Sequence, residues 1–154
     1  RRDTRFSRDK SLYRDNMWII FKRDRMHSTA VPGMYVELSP GGFSYGCGFY
    51  DAPTRYMQTF RWLIQHEDPA FQEAQRAFVE QDVFHIEGDR FKRPRYAEQP
   101  RELQEWLERR NICFSADSAD FQRLFSPKLA EDLGRDLALL APVYRFLLKA
   151  AQLT

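Results

Sequence analysis

The sequence is poor in cysteine and has no long apolar run. The two cysteines among its 154 residues, Cys47 and Cys113, lie 66 positions apart in apolar segments. This spacing argues against a disulfide framework or a zinc knuckle, and we predict that both are reduced core residues. No segment approaches the length of a membrane span, and no signal peptide is recognisable. We therefore expect a cytoplasmic protein with no membrane partner.

The sequence also lacks the short motifs that carry familiar chemistries. It has no nucleophile elbow, phosphate-binding loop or dinucleotide fingerprint, so no cofactor is expected. The three histidines, His27, His66 and His85, are scattered. His85 and Glu87 would share one face of a strand, but two residues do not make a metal site, and none is expected.

What is present is a composition suited to one well-filled core. Hydrophobic residues make up 43% and aromatic residues 15% of the chain, which argues against disorder. We expect a single domain over residues 1–154. The chain begins in charged sequence without methionine, so we also expect upstream residues to be absent from it. The net charge of +2 is uneven, because residues 1–32 carry nine Lys or Arg against four Asp or Glu.

The clearest local signal is a β-hairpin. Two alternating segments, residues 33–39 and 42–50, flank Pro40-Gly41, which suits a tight turn. With this loop, Val36 faces Tyr45 on an apolar side, while Tyr35 and Glu37 share the other side with Ser44 and the glycines at 46 and 48. A slip of one residue would invert every side chain, so the pattern supports this register. The glycines leave room for a backbone, an aromatic ring or a ligand.

The remaining pattern predicts an α+β fold, a single domain with an antiparallel sheet of three to five short strands flanked by helices. Further strands are predicted at residues 16–21, 83–87 and 111–115, and helices at residues 53–66, 68–81 and 100–110. Ser126-Pro127 is predicted to start a long helix that Pro142 kinks or breaks.

The opening segment, residues 1–13, is strongly charged and has no helical or strand period. Arg2, Arg5, Arg8 and Lys10 are spaced irregularly over nine residues, and guanidinium groups suit phosphate or carboxylate. The alternative is an internal network in which acidic neighbours such as Asp9 neutralise the arginines.

Two segments carry a resemblance to a known family. The segment Arg2-Asp-Thr-Arg-Phe-Ser-Arg-Asp-Lys-Ser11 and the hairpin Gly33-x-Tyr-Val-x-Leu-x-Pro-Gly41 resemble the signatures of the mainly bacterial domain-of-unknown-function family 2461. The resemblance covers most of the chain, although Leu12 stands where that family tends to have proline. It implies a helical segment upstream and a fold, but no mechanism.

These features lead to three function hypotheses. The first is binding of a small anionic or phosphorylated ligand, with Arg2, Arg5, Arg8 and Lys10 holding its charge. In that hypothesis Tyr35, Glu37 and Ser44 form the floor. The second is an enzyme that acts on such a ligand, with Glu37 or Asp9 as acid or base. The third is a structural or protein-interaction domain. No oligomeric state is predicted.

Nucleic acid is a further candidate partner. The basic run Arg90, Lys92, Arg93 and Arg95 interleaves with aromatic residues, which suits backbone charge and base stacking. The overall charge near zero and the lack of a known binding motif argue against it.

Overall fold

The computed structural model describes residues 13–23 and 31–154. In chain order these ranges form β1 (Met17–Phe21), β2 (Gly33–Ser39), β3 (Gly42–Gly48), α1 (Thr54–Gln65), α2 (Pro69–Val79), β4 (His85–Glu87), α3 (Arg101–Leu107), β5 (Cys113–Ser118), α4 (Phe121–Leu124), α5 (Leu129–Leu139) and α6 (Ala141–Gln152). The strands make one antiparallel sheet in the order β1-β2-β3-β5-β4. The prediction of an α+β fold with an antiparallel sheet and flanking helices is confirmed.

The β2–β3 hairpin has the predicted register. Val36 lies opposite Tyr45 and Met34 lies opposite Cys47, with Pro40-Gly41 in the loop. Tyr45 and Cys47 are buried in the core. The alternation of apolar and small polar residues therefore identified both the strand pairing and the face that is buried, because side chains on a strand point alternately to opposite sides.

Aromatic side chains join the helices to the sheet. The ring centroids of Phe60 in α1 and Phe146 in α6 are 5.2 Å apart, and Trp106 in α3 lies 5.3 Å from Phe71 in α2. Trp106 also reaches Phe114 of β5 at 5.1 Å. The apolar side chains along one face of α1 are all buried; they are Tyr56, Met57, Phe60, Leu63 and Ile64. One core thus fills the space between the helices and one face of the sheet.

Asp68 and Pro142 stand at two helix boundaries that the sequence predicted. Asp68 caps α2, accepting a hydrogen bond from the N–H of Ala70 at 2.9 Å. Pro142 separates two helices, since α5 ends at Leu139 and Pro142 lies in the first turn of α6, where its missing N–H leaves no bond unmade. No helix within the two described ranges is long and apolar enough to cross a membrane.

The predicted start of the long helix is wrong. Ser126 does not cap α5; its hydroxyl accepts from the N–H of Lys128 at 3.2 Å, and α5 begins only at Leu129. A short helix that the sequence analysis did not predict, α4, precedes this turn. Its cap is Asp120, which accepts from the N–H of Arg123 at 3.0 Å. The side chain of Ser126 therefore stabilises a turn that precedes α5, and the helix starts later than predicted.

Strand β1 lies at an edge of the sheet as the described residues define it, and it is unusually apolar for an edge. All five of its side chains are exposed, from Trp18 at 41% to Met17 at 63%. Both faces of the strand are apolar. Trp18 and Ile20 lie on the side of the sheet that carries Glu37 and Tyr35, and the other three residues of the strand, which are also apolar, lie on the opposite side. This strand therefore contributes little to the buried core.

Strands β3 and β5 approach closely at Gly46. A Cβ atom added to Gly46 would lie 1.8 Å from the carbonyl oxygen of Phe114, far inside contact distance. Gly134 on α5 is the opposite case, because a Cβ atom there would meet nothing within 4 Å. The two glycines thus offer the same substitution with opposite steric consequences.

We expect Gly46→Ala to lower the free energy of unfolding by about 1–3 kcal/mol, because the strands must separate to admit the methyl group. Gly134→Ala should instead raise it by about 0.5–1 kcal/mol, since alanine is the better helix former. Chemical denaturation of both variants measures the two effects. A neutral Gly46→Ala would contradict the close approach of β3 and β5.

An ion pair joins the start of α2 to α6. Lys149 Nζ donates to the carboxylate of Asp68 at 2.7 and 2.8 Å. Partial burial alone would raise the pKa of Asp68, but hydrogen bonds from Lys149 and from the N–H of Ala70 outweigh burial and lower it. The carboxylate therefore stabilises the folded state above its unfolded pKa of about 3.9, and this contribution is lost as the pH falls through the lower folded value.

Asp68→Asn keeps the capping oxygen and removes the charge. At pH 7 we expect the variant to be less stable than the parent by about 0.2–1 kcal/mol, the range for partly exposed pairs. Thermal unfolding between pH 2 and pH 7 should show this difference shrinking below about pH 4. A difference that stays constant over the whole range would mean that the charge of Asp68 contributes nothing.

Candidate functional site

The candidate site lies on the face of the sheet opposite the helices, which we call the outer face. It is the face that carries Tyr35 and Glu37 on β2. The register places Cys113, Ser115 and Asp117 of β5 on the same face. Small residues at alternate positions of β3 keep the middle of this face shallow, as the sequence predicted.

A cleft of about 910 Å³ opens on the outer face. Tyr35, Glu37 and Cys113 lie along its lining, together with Trp18 and Ile20 of β1. Its lining is therefore mixed, with an apolar side from the edge strand and a polar floor from the central strands. This combination is typical of small-molecule sites.

The central polar group spans three strands. Tyr35 on β2 lies opposite Gly46 on β3, and Gly46 lies opposite Ser115 on β5. The hydroxyls of Tyr35 and Ser115 share a hydrogen bond at 2.6 Å. The tyrosine side chain reaches across β3 because Gly46 has no side chain in its path. The predicted room for an aromatic ring above this glycine is thus filled by the chain's own tyrosine.

Burial determines the protonation states of Tyr35 and of its neighbour Cys113. It raises the pKa of Tyr35 well above its usual range. Burial also raises the pKa of Cys113 to about 11, the carboxylate of Glu87 adds to the rise, and a hydrogen bond with Tyr35 partly offsets it. The Cys113 thiol donates to the Tyr35 hydroxyl at 3.7 Å. At neutral pH both groups are therefore protonated hydrogen-bonding partners and not nucleophiles.

Glu37 is held by the segment before β1. Asn16 Nδ2 donates to Glu37 Oε1 at 2.6 Å, which fixes one carboxylate oxygen. Arg14, two residues earlier, lies 5.0 Å from the ring of Trp18, within cation–π distance. Arg14, Asn16 and Trp18 all line the cleft.

The predicted ligand-binding residues fall into two groups. Tyr35 and Glu37 line the cleft, and Ser44 lies opposite Glu37 on the outer face without being part of the cleft lining. The four predicted cations, Arg2, Arg5, Arg8 and Lys10, lie outside the described residues. So does Asp9, the alternative acid or base.

The sequence analysis missed the residues that β5 brings to the site. It predicted a strand at residues 111–115 but assigned Cys113 to the core. That assignment is confirmed for Cys47 and wrong for Cys113, which lies on the outer face as a free thiol. Alternation along β5 places Cys113 and Ser115 on one face, so this signal was present once the strand was recognised.

The basic run is fixed to α3 by its backbone. The N–H groups of Arg95 and Tyr96 donate to the carboxylate of Glu108 at 2.8 and 2.6 Å. Glu108 is itself buried, with 5% exposure. Arg90 pairs with Glu105. Part of the charge of this run therefore serves the structure.

Phe91, one of the aromatic residues of the run, is also engaged. Two guanidinium groups lie near its ring, that of Arg95 at 4.1 Å and that of Arg61 at 5.0 Å from the ring centroid. A second, smaller concavity of about 320 Å³ has Lys92 and Arg93 in its lining. The role of this surface in binding nucleic acid stays a prediction.

Comparison with known proteins gives one match. A family model described as "Conserved hypothetical protein (DUF2461)" matches residues 1–146. No curated protein and no solved structure matches the chain.

The raised pKa of Cys113 predicts slow alkylation. In a Cys47→Ser background, where Cys113 is the one thiol, iodoacetamide at pH 8 should react with the native protein roughly 200-fold more slowly than with an ordinary thiol, because about 0.1% of the thiol is ionised. Mass spectrometry over time measures the rate, and the same variant unfolded in guanidinium is the control. A native rate within tenfold of the unfolded rate would contradict a partly buried thiol that donates a hydrogen bond to Tyr35.

Proposed function

The chain belongs to the DUF2461 family of conserved hypothetical proteins, and we propose that it binds a small anionic or phosphorylated ligand in the cleft on the outer face. The observation that carries this proposal is the cleft itself, with Tyr35 and Glu37 in the floor that the sequence predicted. Its volume of about 910 Å³ suits a ligand of metabolite size.

Different side chains of the cleft would make different interactions with a ligand. Trp18 and Ile20 offer an apolar wall, and Glu37 offers an acceptor for a hydroxyl or amine of the ligand. Arg14 and Lys22 also line the cleft. An anionic ligand that carries hydrogen-bond donors would complement this arrangement.

The predicted cations would supply the remaining positive charge. Arg2, Arg5, Arg8 and Lys10 precede Arg14 by four to twelve positions in the sequence, and Arg14 is at the cleft. Guanidinium groups bind phosphate and carboxylate oxygens through paired N–H donors. In this proposal they hold the anionic group while the hairpin floor holds the rest of the ligand.

A second candidate is an enzyme that acts on the same ligand. The bond from Asn16 to Glu37 at 2.6 Å favours it, because a fixed carboxylate within a cleft is what a general base requires. The other predicted acid or base, Asp9, lies outside the described residues. A third candidate remains an interaction domain in which the arginines pair with acidic residues.

A thermal-shift screen of the full chain tests ligand binding. The panel contains inorganic phosphate, phosphorylated sugars and nucleotides. A ligand at 100 times its Kd should stabilise the fold by about 2.7 kcal/mol. Arg5→Ala and Arg8→Ala should reduce this stabilisation while the ligand-free protein still unfolds cooperatively. Arg93→Ala, on the separate basic surface, is the matched control and should respond as the parent does.

The outcomes separate the three candidates. Loss of folding in Arg5→Ala without ligand would favour a structural arginine network and overturn the binding proposal. Stabilisation that Arg93→Ala abolishes would place binding elsewhere. If Glu37→Gln retains binding but loses turnover of the bound compound, the protein is an enzyme with Glu37 as its acid or base.

A further inference from the structure

The outer face carries a second polar group at its far edge. His85 and Glu87 project from β4, and Asp117 projects from the neighbouring strand β5. The sequence had offered only the pair His85 and Glu87, whereas the sheet adds a third side chain from 30 positions later in the chain. One ligand atom from each of the three lies within 4.8 Å of the others.

The spacing of these atoms is close to that of a metal site. Nε2 of His85 lies 2.8 Å from Oε1 of Glu87 and 3.8 Å from Oδ2 of Asp117. Ligand atoms bound to one tetrahedral ion at about 2.1 Å stand roughly 3.4 Å from each other. Small side-chain rotations would therefore bring all three atoms to a shared ion, on two strands whose backbones are already paired.

The charges of the group also favour a cation. Within residues 13–23 and 31–154, no lysine or arginine nitrogen lies within 4.0 Å of the Glu87 or Asp117 carboxylate. The guanidinium group of Arg109 is near enough for its charge to interact with that of Glu87, but its hydrogen bonds go to Glu105 and to backbone carbonyls. In the described residues the imidazole of His85 is thus the basic group that lies within 4.0 Å of both carboxylates.

We propose that His85, Glu87 and Asp117 bind a divalent transition-metal cation. One imidazole nitrogen and two carboxylate oxygens match the preferences of ions such as Zn²⁺, whereas Mg²⁺ and Ca²⁺ prefer oxygen ligands alone. The three side chains are between 47% and 64% exposed, so an ion has access from solvent. Three protein ligands leave a coordination position for water or for a bound molecule.

This site is independent of the ligand proposed for the cleft. The strand β5 joins the two, since Ser115 lies between Cys113, which lines the cleft, and Asp117, which binds the ion. A nearby thiol is the main competitor for the same metals. The test must therefore distinguish coordination by Asp117 from coordination by Cys113.

Isothermal titration calorimetry of the full chain with Zn²⁺ tests the site. We expect one site per chain, and His85→Gln and Asp117→Asn should each raise its Kd at least tenfold. His66→Gln, which removes an exposed histidine of another element, is the matched control and should leave the Kd unchanged. Circular dichroism establishes that each variant is folded. Equal zinc affinity in the parent and Asp117→Asn would overturn the proposal.

Absorption spectra with Co²⁺ identify the ligands directly. Binding through imidazole and carboxylates should give weak visible bands without a thiolate charge-transfer band, and Cys113→Ser should leave the spectrum unchanged. A strong thiolate band that disappears in Cys113→Ser would assign the metal to the thiol and overturn the proposal. Binding of Mg²⁺ with the same affinity as Zn²⁺ would also overturn it.

Discussion

The outer face depends on the approach of three backbones around Gly46. Because this residue has no side chain, β5 packs against β3 at full hydrogen-bonding distance and Tyr35 reaches across β3 to Ser115. Neighbouring strands are about 4.8 Å apart, so Tyr35 and Ser115 together, joined by their hydrogen bond, span two strand spacings. The floor of the cleft, the protonation of Cys113 and the position of Asp117 all follow from this register.

The hairpin and the helices were predictable because their information is local. In β2 and β3 the loop fixes which residues are opposite, and alternation fixes which face is buried. In α1 the apolar stripe identifies the buried side directly. The position of β5 is different, since it pairs with a strand that ends 65 positions earlier. Neither segment specifies that contact, and so Cys113 was assigned to the core, and the positions of Ser115 and Asp117 on the outer face were overlooked.

More of the charged side chains make structural contacts within the protein than the composition suggests. Arg61 is 8% exposed and donates to the carbonyls of Met57 and Leu107 at 3.0 Å. The planar guanidinium group can satisfy several carbonyls and still stack on an aromatic ring, as Arg61 does on Phe91. A basic run in sequence is therefore a poor measure of the charge that is free to meet a partner, and this applies to Arg90 and Arg95.

Strand β1 has a consequence for colloidal behaviour. Its apolar side chains are exposed, and a strand of this composition at the edge of the sheet, as the described residues define that edge, is a template for pairing with another chain. The same strand contributes Trp18 and Ile20 to the cleft. A molecule that fills the cleft would cover part of this surface, so occupancy of the site and resistance to aggregation are linked through one strand.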